Sequence, residues 1–334
     1  MADLEEAVGR RPVGWHLKSI DVLDDHCLDF LARAPFAVLS TRGTDGRQSC
    51  LPLGGPPGVL RPRGRDRIAL ETGGSLATAP VGTPAGLVAL LPGYRETLRV
   101  NGRLHGDELI VHEAFLHCAK CMIRSHLWDG EAPASTGDEV VETDLGHPEV
   151  ADFLARSPFV LVSSTDAAGE ADVSPKGDPP GFVQVVGPQT LAIPDRPGNR
   201  RTDTFHNLIE DPGTAVMALV PGDDRALHAR GRARITDDAG LRSRAEVKGH
   251  RPEVMMVVDI EEVRLERCPE LAASRLWDPD ARVATGEMPR ASRIWTDHVH
   301  QNTDPGVAAR VARAATPERL LRAGLAKDYR DNLY

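Results

Sequence analysis

The densest group of polar residues in this 334-residue chain lies at 194–208, and three of its arginines fall within six residues: Arg196, Arg200 and Arg201. Gly198 allows a tight turn there, and Thr202 or Asp203 can cap a short helix that follows. Guanidinium groups beside a helix N-terminus suit a phosphate monoester, whose oxygens match the guanidinium fork in geometry and charge. The residues fit equally well a solvated turn whose arginines pair with Asp195 and Asp203.

A second polar group alternates along the segment 172–178, which is predicted to be a strand. Because side chains alternate across a strand, Ser174, Lys176 and Asp178 share one face. Such a face forms either a pocket wall or an exposed edge, where lysine and aspartate are common.

The chain contains an internal repeat with an offset of 123 residues. The segment 30–36 (FLARAPF) returns at 153–159 (FLARSPF), and Pro-Pro-Gly at 56–58 returns at 179–181. The residues that stand opposite Ser174, Lys176 and Asp178 in the first copy are Leu51, Leu53 and Gly55. The polar face is therefore absent from the first copy, which indicates a pseudo-symmetric body with one polar site.

A third group belongs to the first copy. Lys120 and Arg124 are four residues apart, on one face of a predicted helix. Taken alone, they are interpreted as surface charges, because lysine and arginine are mostly exposed. The second copy keeps Ser-x-Leu-Trp-Asp at 274–278 but has neither basic residue. Each half has thus kept polar residues that the other lacks.

The remaining reactive side chains give weaker signals. Cys118 and Cys121 form the only CxxC motif, and no second pair follows, so we expect no metal site and interpret them as packing residues. His206 and His228 are candidates for proton transfer, although single histidines in a helix or a strand are more often structural. No catalytic residue is assigned.

These groups must be positioned by short elements. In both halves a short helix precedes strands at about ten-residue spacing, with glycine and proline between them, which is typical of an antiparallel barrel or sandwich. We predict a mainly β protein with four parts. They are an N-terminal barrel (1–130), a linker rich in Gly, Pro, Ser and acidic residues (131–146), a C-terminal barrel (147–280) and a helical tail (281–334).

Composition excludes several classes of protein. The net charge of −9 and the pI near 5.8 argue against a nucleic-acid partner. No apolar run is long enough to span a membrane, and the first residues lack the pattern of a signal peptide, so we expect a cytoplasmic protein without a membrane partner. Five cysteines do not make a disulfide framework.

Several motifs resemble the pyridoxamine 5'-phosphate oxidase-like FMN-binding split-barrel family. They are Ser-Pro-Lys-Gly-Asp at 174–178, Asp-Arg-Pro-Gly-Asn-Arg-Arg at 195–201, Pro-Gly at 221–222, Gly-Arg-Ala at 231–233, and the segment from Cys118 to Trp128. The run at 195–201 is the most specific of them. The resemblance covers roughly residues 20–280, and each copy matches one family unit. It therefore implies two tandem split β-barrels that form a pseudo-dimer within one chain.

In this family FMN lies in the groove between two barrels, so the resemblance implies a set of cofactor-binding residues here. Asn199, Arg200 and Arg201 would hold the phosphate, while Ser174 and Lys176 would border the flavin ring or ribityl chain. Lys120, Arg124 and Trp128 would come from the other half. Asp195, Arg196 and Thr204 complete the cofactor-binding set. The segment 69–75 of the first half has no arginines, so we expect one complete groove per chain.

The resemblance implies an FMN-dependent oxidoreductase that acts on a small molecule together with an electron donor or oxygen. A non-catalytic flavin-binding protein is the alternative, as is a split barrel that uses deazaflavin or heme. The chain is expected to be a monomer with pseudo-dimer architecture, or a homodimer.

Overall fold

The computed structural model describes residues 15–76, 78–129, 139–140, 144–198, 201–315 and 317–334. Asn199 and Arg200 of the predicted phosphate loop lie outside the described residues, as does most of the predicted linker.

The first half begins with helix α1 (Asp25–Arg33), whose N-cap Asp24 accepts a hydrogen bond from the backbone N–H of Cys27. Pro35 follows directly after the helix, and its fixed φ leads the chain into the first strand. Seven strands follow: β1 (Phe36–Arg42), β2 (Gln48–Gly54), β3 (Leu60–Pro62), β4 (Arg67–Leu70), β5 (Pro84–Leu90), β6 (Thr97–His105) and β7 (Glu108–His117). Helix α2 (Lys120–Ser125) closes this half.

The second half repeats this plan and adds two helices. Its elements are α3 (Pro148–Arg156), β8 (Phe159–Thr165), β9 (Ala171–Gly177), β10 (Gln184–Gly187), β11 (Thr190–Pro194), α4 (Asp203–Glu210), β12 (Gly213–Leu219), β13 (Arg225–Thr236), α5 (Ala239–Arg244), β14 (Met255–Arg267) and α6 (Pro269–Ser274). The tail contains α7 (Ala291–Gln301), α8 (Val307–Ala315) and α9 (Glu318–Asp331).

The two sheets have the same topology. Their strand orders are β2-β1-β5-β6-β7-β4-β3 and, read from the matching edge, β9-β8-β12-β13-β14-β11-β10. All pairs are antiparallel, and β7 and β14 each carry a bulge opposite an equivalent glycine of the neighbouring strand, Gly102 of β6 and Gly231 of β13. The prediction of two tandem split barrels is confirmed.

The halves meet across a pseudo-two-fold axis. Ser40 and Ser163, which are 123 residues apart, contact each other through their hydroxyls. Around them lies an apolar core drawn from both halves, which includes Phe36 and Phe159, both fully buried. Burying these aromatic side chains favours association of the barrels, since each removes a large apolar area from water.

Two glycines lie where a strand end of one half packs tightly against a helix backbone of the other. A Cβ atom at Gly54, the end of β2, would lie 2.1 Å from the carbonyl oxygen of Glu270 in α6. At Gly177, the end of β9, it would lie 2.3 Å from the carbonyl oxygen of Cys121 in α2. Only glycine permits these contacts, so each barrel presses a strand end against a helix of the other.

The largest difference between the halves is one connection. Strands β6 and β7 are joined by residues 106–107, whereas β13 and β14 are joined by residues 237–254, which include α5. We call residues 237–254 the insertion. Within the described residues, no helix has the length and apolar character needed to cross a lipid bilayer.

Candidate functional site

A pocket of about 1000 Å³ lies between the barrels. The second half contributes β9, the loop after β11, the start of α4 and part of the insertion, and the first half contributes the end of β7 and α2. Eight of the predicted site residues line it: Lys120, Arg124, Ser174, Lys176, Asp195, Arg196, Arg201 and Thr204. The fold therefore brings together residues that are up to 84 positions apart in the sequence.

Arg201 is the last arginine of the predicted phosphate loop. It is buried, and its Nε donates to Asp203 at 2.7 Å. Its terminal nitrogens donate to Glu113 and to the Ser19 hydroxyl, both at 2.9 Å. The guanidinium also lies 3.9 Å from the centre of the Phe115 ring. Arg201 therefore pairs locally with Asp203, as one of the two interpretations of the sequence expected, and also lies on the pocket wall.

Arg196 holds the wall of the pocket together. It is buried, and its Nε donates to Asp178 at 2.7 Å. A terminal nitrogen donates to the carbonyl oxygen of Ala245 at 2.6 Å, and the other to that of His250 at 3.4 Å. Both carbonyls belong to the insertion, so Arg196 positions this segment, and its contact with a cofactor stays a prediction.

Ser174 and Lys176 face the pocket from β9. The Ser174 hydroxyl donates to Asp172 at 3.1 Å. The Lys176 ammonium lies 5.0 Å from the centre of the Phe205 ring. Burial lowers the pKa of Lys176, which indicates a cation held mostly out of water. In the part of the chain that the structure describes, no carboxylate lies within ion-pair distance of Lys176, and the main opposite charge that acts on it is Asp195.

Arg99 is a pocket residue that the sequence analysis missed. It lies on β6, is 2% exposed, and forms an ion pair with Asp172 of the other half. Burial, together with the nearby Arg201, lowers the pKa of Arg99 to about 10. No periodic signal distinguishes it from an ordinary strand arginine, because its partner lies in the other barrel.

The sequence context alone favoured a surface position for Arg124, but the structure buries this side chain. It is 5% exposed, and its Nε donates to the carbonyl oxygen of Gly177 at 3.0 Å. Its Nη1 donates to the carbonyl oxygens of Pro197, at 3.0 Å, and Leu333, at 2.8 Å. One side chain therefore joins α2 to the other barrel and to the end of the tail.

Lys120 is also buried, at 2% exposure, and its ammonium pairs with Asp328 of α9 at 2.9 Å. The neighbouring backbone N–H of Ala119 donates to the Tyr329 hydroxyl at 3.1 Å. At the end of the tail, Tyr334 lines the pocket, and its ring lies 5.6 Å from the Arg196 guanidinium. The tail thus reaches across α2 to the mouth of the pocket.

His117, at the end of β7, is a second pocket residue that the sequence analysis missed. Its Nδ1 is buried and has no hydrogen-bond partner within the described ranges. Burial, reinforced by Arg99, Arg201 and Lys176, holds the pKa of His117 well below its usual range. The imidazole is therefore neutral at physiological pH. The candidates named from sequence, His206 and His228, do not line the pocket, and burial lowers the pKa of His228 to about 4.

Thr204, Asp195, Trp128 and Cys121 were also singled out in the sequence. Thr204 is buried at the first turn of α4. Burial raises the pKa of Asp195. Trp128 lies in the core between the barrels, where its indole N–H donates to the Tyr94 carbonyl at 2.8 Å and its ring centre is 6.0 Å from that of Trp277. Burial raises the pKa of the Cys121 thiol to about 12, so it stays protonated at neutral pH.

The pocket is lined by cationic side chains, by carboxylates that include Asp178, Asp195 and Asp203, and by aromatic rings. Arg99, Lys120, Arg124, Lys176 and Arg201 bring cationic groups from both halves, and Phe182 and Phe205 lie beside them. Such a site can hold the phosphate of a small aromatic ligand and exclude water from the rest of it.

The chain matches known proteins through its second half. Residues 147–267 match the family model described as pyridoxamine 5'-phosphate oxidase. Comparison with curated proteins gives no match.

Solved structures match over about one barrel. HupZ from Group A Streptococcus has 14% identity, with 35% of this chain and 90% of HupZ covered, at a TM-score of 0.31. A protein of the pyridoxine phosphate oxidase family from Clostridium acetobutylicum, related to general stress protein 26, has 10% identity, with 36% and 86% covered, at 0.28. An F420 reductase has 17% identity, with 34% and 93% covered, at 0.26.

The family match and the fold agree on the same segment. The matched residues contain all of β8 to β14, and β1 to β7 follow the same strand order. Residues 147–267 therefore form a split barrel that matches the pyridoxamine 5'-phosphate oxidase family model, and the first half repeats its strand order, so the two halves are a tandem pair of split barrels.

Proposed function

We propose that this chain binds FMN in the groove between its barrels and is an FMN-dependent oxidoreductase acting on a small molecule. The observation that supports this most is the pocket of about 1000 Å³, whose cations come from both halves. Its size suits a mononucleotide, since sites for small ligands typically enclose about 300–1000 Å³.

Unsatisfied polar groups in the pocket fit this ligand. Lys176 has no described carboxylate as an ion-pair partner, and the buried Nδ1 of His117 has no described hydrogen-bond partner. In our proposal Arg201 holds the phosphate with Asn199 and Arg200 of the same loop. Ser174 and Lys176 border the ribityl chain or the ring.

When bound, FMN supplies the redox chemistry, and the protein orients it and tunes its electronics. The buried walls of the groove keep water away from the ring. His117, neutral and enclosed, offers Nδ1 as a hydrogen-bonding atom toward the ligand. Burial, with Arg99 and Arg201 beside it, keeps the pKa of this imidazole low.

We further propose one flavin per chain. In the first barrel, Leu53 occupies the position of Lys176, is 1% exposed, and packs in the same core as Leu70 and Leu76. Apolar side chains therefore fill the space where the equivalent site would need charge. A flavin-to-protein ratio near two after reconstitution would contradict this.

The test begins with the visible spectrum of protein purified without added cofactor, followed by mass identification of the released compound. Replacing Arg200 and Arg201 together by alanine is expected to abolish flavin retention, because the phosphate loses its charge-assisted hydrogen bonds. Arg61→Ala is the matched control, since Arg61 pairs with exposed Glu71 in the first half. Unchanged retention in the double variant would remove the phosphate assignment.

The same measurements separate the alternatives. Flavin absorbs in the blue, whereas heme gives a Soret band, and mass identification distinguishes deazaflavin. A non-catalytic flavin-binding protein would hold FMN but show no turnover with reduced nicotinamide and oxygen.

A further inference from the structure

Asp24, Cys27 and His298 meet where the tail packs on the first barrel, away from the groove. Asp24 and Cys27 lie at the start of α1, and His298 lies on α7, 271 residues after Cys27. Their exposures are 3%, 1% and 0%. One ligand atom from each, an oxygen, a sulfur and a nitrogen, lies within 4.8 Å of the other two. Three strong metal-ligand groups therefore share one enclosed space.

The hydrogen bond on the far side of the His298 ring fixes its proton. Nδ1 lies 3.1 Å from the backbone carbonyl oxygen of Lys18, which can only accept, so Nδ1 carries a hydrogen. In a neutral ring, Nε2 then presents a lone pair. This atom faces a carboxylate oxygen of Asp24 at 3.3 Å and the Cys27 sulfur at 3.9 Å. Atoms at these distances share either a proton, which the thiol or the ring can supply, or a metal ion.

The donor set and its spacing favour the metal ion. Zinc binds carboxylate oxygen, thiolate sulfur and imidazole nitrogen at roughly 2.0–2.3 Å, so tetrahedral ligands lie roughly 3.3–3.7 Å apart. The separations of 3.3 Å and 3.9 Å from Nε2 are close to this. A ring N–H that donates to a backbone carbonyl is the usual outer contact of a ligating histidine. Gln301, also on α7, donates to the Asp24 oxygen that faces His298, at 3.1 Å.

We propose that Asp24, Cys27 and His298 bind a zinc-like divalent cation that fastens the tail to the first barrel. An ion pair between Asp24 and His298 alone would not require a thiol beside Nε2. The CxxC motif is the only local metal signal in the sequence and predicts no site, whereas these three ligands come together only in the folded chain. The site anchors α7, and therefore the base from which α9 extends to the groove.

The test uses the full-length protein and does not depend on flavin binding. After exhaustive dialysis we expect about one zinc ion per chain, and after chelation a lower midpoint of thermal unfolding. Cobalt(II) added to the chelated protein should give a sulfur-to-cobalt charge-transfer band in the near ultraviolet that saturates at one equivalent. Cys27→Ser should lose this band. Cys50→Ser, the matched control with a buried thiol in the same barrel, should keep it.

The proposal is overturned if no zinc is retained, no band develops, and chelation leaves the unfolding midpoint unchanged. Asp24, Cys27 and His298 then form a buried hydrogen-bonded cluster without a metal ion. A band that survives in Cys27→Ser also overturns it, because the thiolate ligand would lie elsewhere. The chelation measurement needs no substitution, so it stands even if a variant fails to fold.

Discussion

The two barrels share a strand order but differ in chemistry at one strand face. Lys176 of β9 borders the pocket, whereas Leu53, at the equivalent place on β2, is part of an apolar core. The strand order, the bulges and the glycine contacts are nevertheless shared. The comparison shows that the apolar pattern sets the architecture of each half, while a few positions decide whether a half carries a site.

On the helices that pack against these strand ends, the first half carries the polar residues and the second half lacks them. Lys120 and Arg124 of α2 border the pocket, while the equivalent α6 begins with Pro269 and has Ala273 in place of the arginine. One half supplies the strand face and loop, and the other supplies the helix. A single groove therefore needs residues from both halves, and neither barrel holds a complete site by itself.

The two single substitutions Leu53→Lys and Lys176→Leu are expected to have the largest effects and test this comparison most directly. Leu53→Lys places an unpaired charge in a core, which we expect to lower the free energy of unfolding by about 3–5 kcal/mol. Lys176→Leu should leave stability nearly unchanged but weaken flavin binding by roughly 10- to 100-fold, since a charged hydrogen bond contributes about 1.5–3 kcal/mol. Denaturant unfolding and flavin titration measure these effects. Equal effects of the two variants on flavin binding would contradict the single-groove model.

Alanine substitutions at Gly54 and Gly177 distinguish an effect on folding stability from an effect on the flavin site. Gly54→Ala and Gly177→Ala each force a methyl group against a carbonyl oxygen, and we expect each to lower the free energy of unfolding by about 1–3 kcal/mol. Only Gly177→Ala displaces α2, which carries Lys120 and Arg124, so it alone should reduce flavin retention. Equal retention in the two variants would mean that the contact of α2 with β9 does not shape the groove.

The pH dependence of stability tests whether His117 is buried as a neutral ring. Its pKa is lowered in the folded state, so below about pH 6.5 the unfolded chain binds a proton that the folded chain does not. This contribution to stability is therefore lost as the pH falls, by up to about 1.4 kcal/mol per pH unit. His117→Asn should reduce that slope between pH 6.5 and 5 in denaturant titrations. His228→Asn, at a second buried histidine, should act in the same direction without altering the flavin spectrum.

The smallest expected effect concerns the tail. Asp328→Asn removes a carboxylate 2.9 Å from the Lys120 ammonium, so the groove becomes more cationic. We expect its affinity for FMN to rise by roughly 2- to 5-fold, the effect of a partly exposed ion pair worth up to about 1 kcal/mol. Asp331→Asn, which removes an exposed partner of Arg330, is the control and should leave the affinity unchanged. A lower affinity in Asp328→Asn would indicate that the carboxylate positions Lys120 for the ligand.

The fold was predictable because its signals are local or repeated. The offset of 123 residues, the turn residues and the strand composition all appear in the sequence itself. The insertion also left a signal, because Leu127-Trp128 returns as Leu276-Trp277, a wider spacing than that of the earlier motifs.

The polar contacts of the site were predictable only in part. The resemblance named Lys176 and Arg201, but Arg99 and His117 looked like ordinary strand residues. Lys120 and Arg124 looked exposed because burial of a cation depends on partners far along the chain. Those partners, Asp328 and the backbone of Gly177, become neighbours only after the tail and the barrels have packed.

The contact between Ser40 and Ser163 has a consequence for the evolution of the sequence. In an assembly of two identical subunits, a residue on the axis meets its own copy, and every substitution appears on both sides at once. Here the facing hydroxyls are encoded separately, so each can vary alone. The covalent connection also keeps the partners together at any dilution, since their effective concentration no longer depends on the amount of protein present.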